Sequence, residues 1–212
     1  MKLTVTTFVT LDGVMQAPGG VQEDLSGGFK YGGWLVPFSD SDMGRIITDI
    51  FEQADAILFG RKTYDMMYAY WPNVTDPTNL VAKALNSLPK YVATRHAGSL
   101  AWHNSHPLQG DYADAIRALK LQPGRELQVH GSHGLVQLLL REGLIDQFNI
   151  WTYPVLVGAG KRLFGSPEIS ATLRLLSSEV TSTGVIVGRY EPAGPVKADQ
   201  SFAFKDGKET FA

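Results

Sequence analysis

The chain has 212 residues, 44% of them hydrophobic, 19% charged and 10% aromatic, a composition that supports one sizeable packed domain and excludes a disordered chain. Its formal net charge of −2 argues against the broad basic surface that nucleic-acid binding requires. With no cysteine present, disulfides, cysteine nucleophiles, thiolate zinc sites and iron–sulfur clusters are excluded together.

The N-terminal "MKLTVTTFVTLDG" mixes threonine with apolar residues and reaches Asp12 without the long apolar core of a signal peptide. No stretch approaches the roughly 20 apolar residues of a membrane span. The expectation is a cytoplasmic protein with neither a membrane nor a nucleic-acid partner.

Residues 3–11, rich in β-branched side chains and closed by Asp12-Gly13, read as a strand. Residues 16–33, "QAPGGVQEDLSGGFKYGG", read as a long loop of the kind that often carries function. "SDSDMGRIITDIFEQA" starts with capping residues and spaces Met43, Ile46, Ile47, Ile50 and Phe51 at a helical period. "DAILFG" predicts a short strand, "RKTYDMMYAYW" a helix, residues 72–79 a loop, "LVAKALNSL" a helix and "KYVAT" a buried strand. "DYADAIRALK" after "SHPLQGD" is a helix, "ELQVHG" a strand and "LVQLLLREGL" a helix. "IDQFNIWTYPVLVG" is a strand whose regular part ends at Pro154, and "LRLLSSEVTSTGVIVGRYEP" is an antiparallel pair joined near Ser182–Gly184.

Strand and helix alternate, and the end is β-rich. This pattern predicts a three-layer α/β/α domain with a mixed sheet, mostly parallel and with an antiparallel C-terminal edge, over residues 1–192. Residues 193–212 are a tail, either a hairpin or a flexible end.

Two strand–glycine–helix junctions can present free backbone N–H groups to an anion. In "ILFGRKTY" Gly60 permits a tight turn and Arg61, Lys62 and Thr63 sit at the helix start; in "QVHGSHGL" Gly131, Ser132 and Gly134 can let a diphosphate approach the backbone. Taken singly, such a junction is also ordinary turn punctuation. Two in one sheet fit the opposite ends of a dinucleotide, and "ATRH" adds Thr94 and Arg95 after another strand, arginine being suited to bidentate phosphate contact.

The ordered blocks "VTLDGVMQAPGG", "DAILFGRKTY", "KYVATR" and "VHGSHGLVQLLLREGLIDQFNIWTYPVLVGAGKRLF" resemble the dihydrofolate reductase superfamily. More particularly, they resemble the branch of the reductase domain of the bifunctional riboflavin-biosynthesis deaminase-reductase. The resemblance spans about residues 3–190. It implies a dihydrofolate reductase-like fold using NADPH and forming a homodimer. It also implies that Gly60, Arg61, Lys62 and Thr63 meet the adenosine-side phosphates, that Thr94 and Arg95 line the adenosine and its 2′-phosphate, and that Gly131, Ser132, Gly134 and Leu135 carry the diphosphate. Phe8, Val9 and Met15 would frame the nicotinamide. The implied activity is hydride transfer to a C=N or C=O group of a small heterocycle, a pteridine or a 5-amino-6-(5-phosphoribosylamino)uracil-like pyrimidine. The alternative is an NADPH-binding module without turnover.

The folate-reductase pattern is incomplete. Trp34 is followed by "LVPFSDSD" rather than that family's acidic motif, and no folate-binding arginine follows "GRKTY". The cysteine-containing zinc signature of the deaminase partner domain is also missing.

Asp12 and Asp42 are the candidate catalytic carboxylates. Asp12 equally fits an Asp-Gly turn, and Asp42, beside Ser39, Asp40 and Ser41, equally fits a helix start. Trp34, Tyr64 and Tyr153 are candidates to stack on the substrate, or else core residues. The five histidines lack metal-site spacing, so no metal is expected. Of His130 and His133, one is expected to pack beside its strand and the other to cap or face solvent.

Overall fold

The computed structural model describes residues 1–96, 98, 100–165, 169–198, 201–205 and 208–211. Its core is an eight-stranded sheet in the order β4-β3-β2-β5-β1-β6-β8-β7. The strands are β1 (Lys2–Thr10), β2 (Ala54–Gly60), β3 (Lys90–Ala93), β4 (Ser105–Pro107), β5 (Glu126–His130), β6 (Gln147–Tyr153), β7 (Leu173–Val180) and β8 (Ile186–Pro192). The first six run parallel; β8 pairs antiparallel with β6 and with β7. A separate antiparallel pair, β9 (Phe202–Lys205) and β10 (Lys208–Phe211), lies in the tail.

The alternation within β1 explains its central position. Leu3, Val5 and Val9 enter a cluster shared with α4 (Tyr112–Lys120) and α5 (His133–Arg141). On the opposite face Phe8 meets Trp151 and Tyr153 edge-on. A strand covered on both sides buries both faces, and in β1 the second face does so with Thr4, Thr6 and Thr10 beside Phe8. The second face is closed by α1 (Ser41–Phe51), α2 (Arg61–Tyr70) and α3 (Leu80–Ser87), through two further clusters that include Ile46, Ile50, Tyr64 and Leu85. Three layers result, as the alternation of elements predicts. Each fully buried aliphatic side chain in them contributes ~1.5–3 kcal/mol.

Three sequence expectations are adjusted. The β4 strand, only Ser-His-Pro, carries too little pattern to be seen in sequence and is held in place by its pairing with β3. The helix α5 begins at His133, two residues before the apolar run. Residues 16–33 are a hydrogen-bonded layer rather than a structureless loop: Trp34 Nε1 donates to the Gln16 carbonyl at 2.8 Å, Gly33 N–H donates to the Ala17 carbonyl, and Phe29 and Ala17 are buried.

Because β1 to β6 are parallel, their carboxyl ends share one rim. The chain leaves β1, builds β2, β3 and β4 to one side, returns through β5 into the gap beside β1, and places β6 on the other side. Crevices at such a reversal, above the carboxyl ends of strands, are where open α/β sheets bind ligands.

Candidate active site at the carboxyl rim of the sheet

Helix starts along this rim are of two kinds. Asp40, Asn79 and Asp111 cap α1, α3 and α4, their side-chain oxygens accepting from Met43, Ala82 and Asp114 N–H respectively. The helices α2 and α5 start at Gly60 and Ser132 without a side-chain cap. Their leading N–H groups have no intrahelical acceptor and stand at the positive end of the helix dipole. The two uncapped starts are the two junctions singled out in the sequence.

They are also neighbours. A methyl group at Gly60 would lie 2.0 Å from Ser132 Oγ and 3.7 Å from Leu135 Cβ, so the close approach of the two turns requires glycine there. The α5 turn places Gly131 at φ 70° and Ser132 at φ 75°. A left-handed serine costs ~1–3 kcal/mol, the kind of strain that clusters at functional turns. Nothing lies within 4 Å of where a Cβ would project at Gly131 or Gly134, so backbone is open to close approach there. The Thr7 hydroxyl, one position past the registered pair Thr6↔His130, is buried without a hydrogen-bond partner.

Around this double turn, Arg61 Nε is paired with Asp65 at 2.8 Å while Nη1 donates to the His96 carbonyl at 3.1 Å, bridging α2 to the segment after β3. Lys62 and Arg95 are exposed and Thr63 half-buried. Thr94 is buried, its hydroxyl accepting from His96 N–H at 3.1 Å. The Leu135 side chain belongs to the core, so only its backbone faces the turn. His130 is stacked on Phe51 at 4.2 Å and accepts no charge, burial holding it down to about 3. Half-buried His133 is also lowered, first by burial and then by nearby Lys161. His130 thus packs beside its strand as expected, whereas His133, expected to cap the helix or face solvent, is half-buried in the first turn of α5, a helix start without a side-chain cap.

The other half of the rim, above β1 and β6, is closed by two loops zipped together. Leu11 N–H donates to the Val155 carbonyl, Met15 N–H to Lys161 and Leu163 N–H to Gly13, while Val14 and Arg162 form a bridge. Gln16 ties this layer to the next segment: its Nε2 donates to the carbonyls of Asp24 and Ser26, and its Oε1 accepts from Lys161 N–H at 3.0 Å. Asp24 pairs with Lys161. Beside the pair lies a cleft of about 520 Å³ whose walls include Gln16, Phe29, Lys30, Tyr31 and Lys161. Val9 and Met15 sit in the core beneath the zip, and Phe8 is half-buried against Trp151 and Tyr153.

The proposed catalytic and stacking residues are distributed unevenly. Asp12 accepts from the Thr10 hydroxyl at 2.6 Å, Gly158 N–H at 2.8 Å and Val157 N–H at 3.3 Å. The Thr10 bond leads the effects that hold its carboxyl below the ordinary value, so at neutral pH it is an ionised acceptor and not a proton donor. Asp42 is turned away to the β7–β8 connection, accepting from Ser182 N–H at 3.0 Å, beside the Asp40 cap that also accepts from Ser182 and Thr183. Tyr64 is withdrawn from any substrate: it is 1% exposed, and its hydroxyl accepts from Trp102 N–H at 2.9 Å beneath α2. Trp34 and Tyr153 form a buried aromatic cup with Phe38, at centroid distances of 5.2 and 5.9 Å from Tyr153. Sequence reasoning missed Gln16, Asp24 and Lys161. The glycine pair of "VGAGKRLF", followed at once by two cations, was the available signal for the last.

No group of three or more His, Asp or Glu side chains among the described residues is placed to hold a metal ion. No helix among them is long and apolar enough to cross a membrane.

The mostly parallel mixed sheet with its strand-order reversal and antiparallel C-terminal edge is that of a dihydrofolate reductase-like domain, in keeping with the family match. Residues 1–187 match the RibD C-terminal domain, and the chain belongs to that family. It is 29% identical over 187 residues to the uncharacterized protein YyaP of Bacillus subtilis, covering 87% of this chain and 92% of YyaP. Among solved structures it resembles a protein assigned to riboflavin biosynthesis from Shewanella sp. PV-4, with TM-score 0.65 and 22% identity, over 91% of this chain and 99% of the other. A pyrimidine reductase-like protein from Corynebacterium diphtheriae aligns with TM-score 0.57 and 14% identity, over 91% and 92% of the two chains.

Proposed function

We propose that this protein is an NADPH-dependent reductase acting on a C=N or C=O group of a small heterocycle. The observation that carries the reading is the pair of uncapped helix starts meeting at Gly60 and Ser132. Three other helix starts cap themselves with side chains. Leaving these two N–H clusters uncapped and adjacent suits a ligand that brings two linked anionic groups.

NADPH, when bound, supplies the hydride. The backbone of Gly131, Ser132, Gly134 and Leu135 would hold the diphosphate, and Gly60, Arg61, Lys62 and Thr63 the adenosine-side phosphates. Thr94 and exposed Arg95 stand after β3, where a 2′-phosphate would be met. Phe8 and Val9, at the end of β1, and Met15, in the loop that follows it, would frame the nicotinamide. The cleft itself would take the acceptor, with Tyr31 and Lys30 at its mouth and Gln16 and Phe29 behind. Membership in the RibD C-terminal domain family and the pyrimidine reductase-like relative favour a pyrimidine of the 5-amino-6-(5-phosphoribosylamino)uracil type, with pteridines next. With Asp12 ionised, the proton that completes reduction is assigned to water entering the cleft.

The test is oxidation of NADPH followed at its absorbance band with aminopyrimidines, pterins and carbonyl compounds as acceptors. Turnover with a ring C=N or C=O acceptor supports the reading. Saturable NADPH binding without turnover on the whole panel would instead make the chain a binding module.

A homodimer is part of the same proposal. The edge strand β7 is exposed on both faces and presents Leu175, Leu176 and Val180, with Ile186 beside them on β8. Long apolar edges invite pairing and are normally covered. Light scattering should give a dimer mass for the native chain and a monomer for Leu175→Glu combined with Val180→Glu.

A further inference from the structure

The loop after β6 has the features of a third anion cradle, and the protein fills it itself. Gly158 has φ 78° and Gly160 φ 142°. The successive N–H groups of Val157 and Gly158 converge on one carboxylate, as backbone nests do on bound anions. That carboxylate is Asp12, 20% exposed. The Thr10 hydroxyl that donates to it at 2.6 Å accepts in turn from Val14 N–H at 3.0 Å, closing the turn that carries Asp12. Arg162 stands 3.6 Å from the same carboxylate and donates to the Gly158 carbonyl at 2.8 Å.

We infer that Asp12 is a positioning residue: by occupying the Val157–Gly158 nest it pins the loop after β6 where Gly160 and Lys161 wall the cleft. The contacts follow one another without a gap. Asp12 fixes residues 157 and 158; three residues on, Lys161 meets Gln16 and Asp24; and Gln16 and Lys161 line the cleft with Phe29. The Gly160 backbone is packed so closely that a Cβ there would lie 2.6 Å from Val14 Cγ1, which leaves the loop little freedom while the nest is filled. The same loop is tied to α5, where Gln137 Nε2 donates to the Leu163 carbonyl at 2.9 Å, so its far end stays anchored when the near end is released. The role of the cleft rests on the reductase reading; the pinning of the loop does not.

Two measurements on the full chain separate these. In limited trypsin digestion, Asp12→Asn should speed cleavage after Lys161 and Arg162 by about fivefold or more, since local opening sets the rate. Asp12→Glu, which keeps the carboxylate, should recover part of the protection. Under turnover, Asp12→Asn should raise the acceptor KM by about fivefold while kcat and the NADPH KM change by less than about threefold, the pattern of lost binding rather than lost chemistry. Unchanged proteolysis overturns the inference. So does a fall in kcat of about a hundredfold at constant KM, which would place Asp12 in the chemistry itself. If no acceptor is turned over, the reductase reading fails and the digestion still decides the inference. If Asp12→Asn does not fold, Arg162→Gln strips the neighbouring cation; cleavage after Lys161 should then rise by about twofold, and no rise overturns the inference.

Discussion

The two halves of the rim at the carboxyl ends of the strands handle backbone polarity in opposite ways. Above β2 and β5, helix starts are left uncapped, a serine is held in a left-handed conformation, and glycine is required at the point of contact. Above β1 and β6, N–H groups are paired across the zipped loops, and the nest of the second glycine loop is filled by Asp12. On the proposed reading the first half receives charge from outside, whereas the second pairs its own N–H groups with a carboxylate of the chain. Glycine-rich sequence after a strand therefore does not identify an anion site by itself, because "HGSHG" and "VGAG" have opposite fates. What separates them is whether a side chain of the protein reaches the N–H groups first.

The largest expected effect comes from breaking the receiving half at its joint. Gly60→Val forces a side chain into the 2.0 Å gap against Ser132. By prising the two turns apart it should weaken NADPH binding by about a hundredfold or more, against an overpacking cost of ~1–3 kcal/mol in stability. Fluorescence titration with NADPH and a thermal melt on the same sample measure both. If affinity survives, the two uncapped starts do not act as one site. Next in size, Arg61→Ala and Arg95→Ala should each cost ~1–3 kcal/mol of NADPH affinity, as charge-assisted contacts do. Both should cost less for NADH, which lacks the 2′-phosphate.

A change at the opposite end of the sheet should leave both halves untouched. Lys90, 0% exposed at the start of β3, donates to the Leu85 and Leu88 carbonyls at the end of α3, and its Nζ lies 4.9 Å from the Trp102 ring centre. Burial without an acidic partner brings it down to about 8. Protonation is thus disfavoured in the folded state. Folding stability should be reduced below pH 8 and should recover as pH rises from about 8 towards the unfolded value near 10.4, by ~1–3 kcal/mol. Urea denaturation at pH 7 and pH 10 measures this, with Lys90→Met as the control that should lose the pH dependence. NADPH affinity of that variant should be unchanged.

Much of this organisation was legible in the sequence because it rests on local pattern. The capping residues Asp40, Asn79 and Asp111 and the glycines that close β2 and follow β5 mark their elements directly. The walls of the cleft were hidden because they are made by pairing across about 145 residues of chain, as in Lys161 N–H to Gln16 and Gly158 N–H to Asp12. Neither local propensity nor hydrophobic period carries such information. Tyr64 shows the converse: at its place in "GRKTY" it looks available to a ligand, yet it packs between Phe59 and Trp102 because its helix turns that face inward.

The smallest expected effect distinguishes a wall from a binding group. Asp24 and Lys161 form an ion pair with side chains 26% and 33% exposed, and Lys161, with Ser26, keeps the Asp24 carboxyl down to about 2 against desolvation that raises it. Because that value is depressed, the pair's contribution is present above the ordinary carboxyl value and is lost as pH falls towards about 2. Partial exposure limits it to ~1 kcal/mol or less. Asp24→Asn should therefore lower stability by about that amount at pH 7 and by much less as pH falls to about 2, and should leave NADPH affinity unchanged. Its effect on the acceptor should appear as a modest rise in KM, because the Gln16 bonds to the Asp24 and Ser26 carbonyls are made by backbone and survive the substitution. A loss of acceptor binding as large as that expected for Asp12→Asn would mean that the Asp24–Lys161 pair touches the substrate itself, and that the second half of the rim also receives charge from outside.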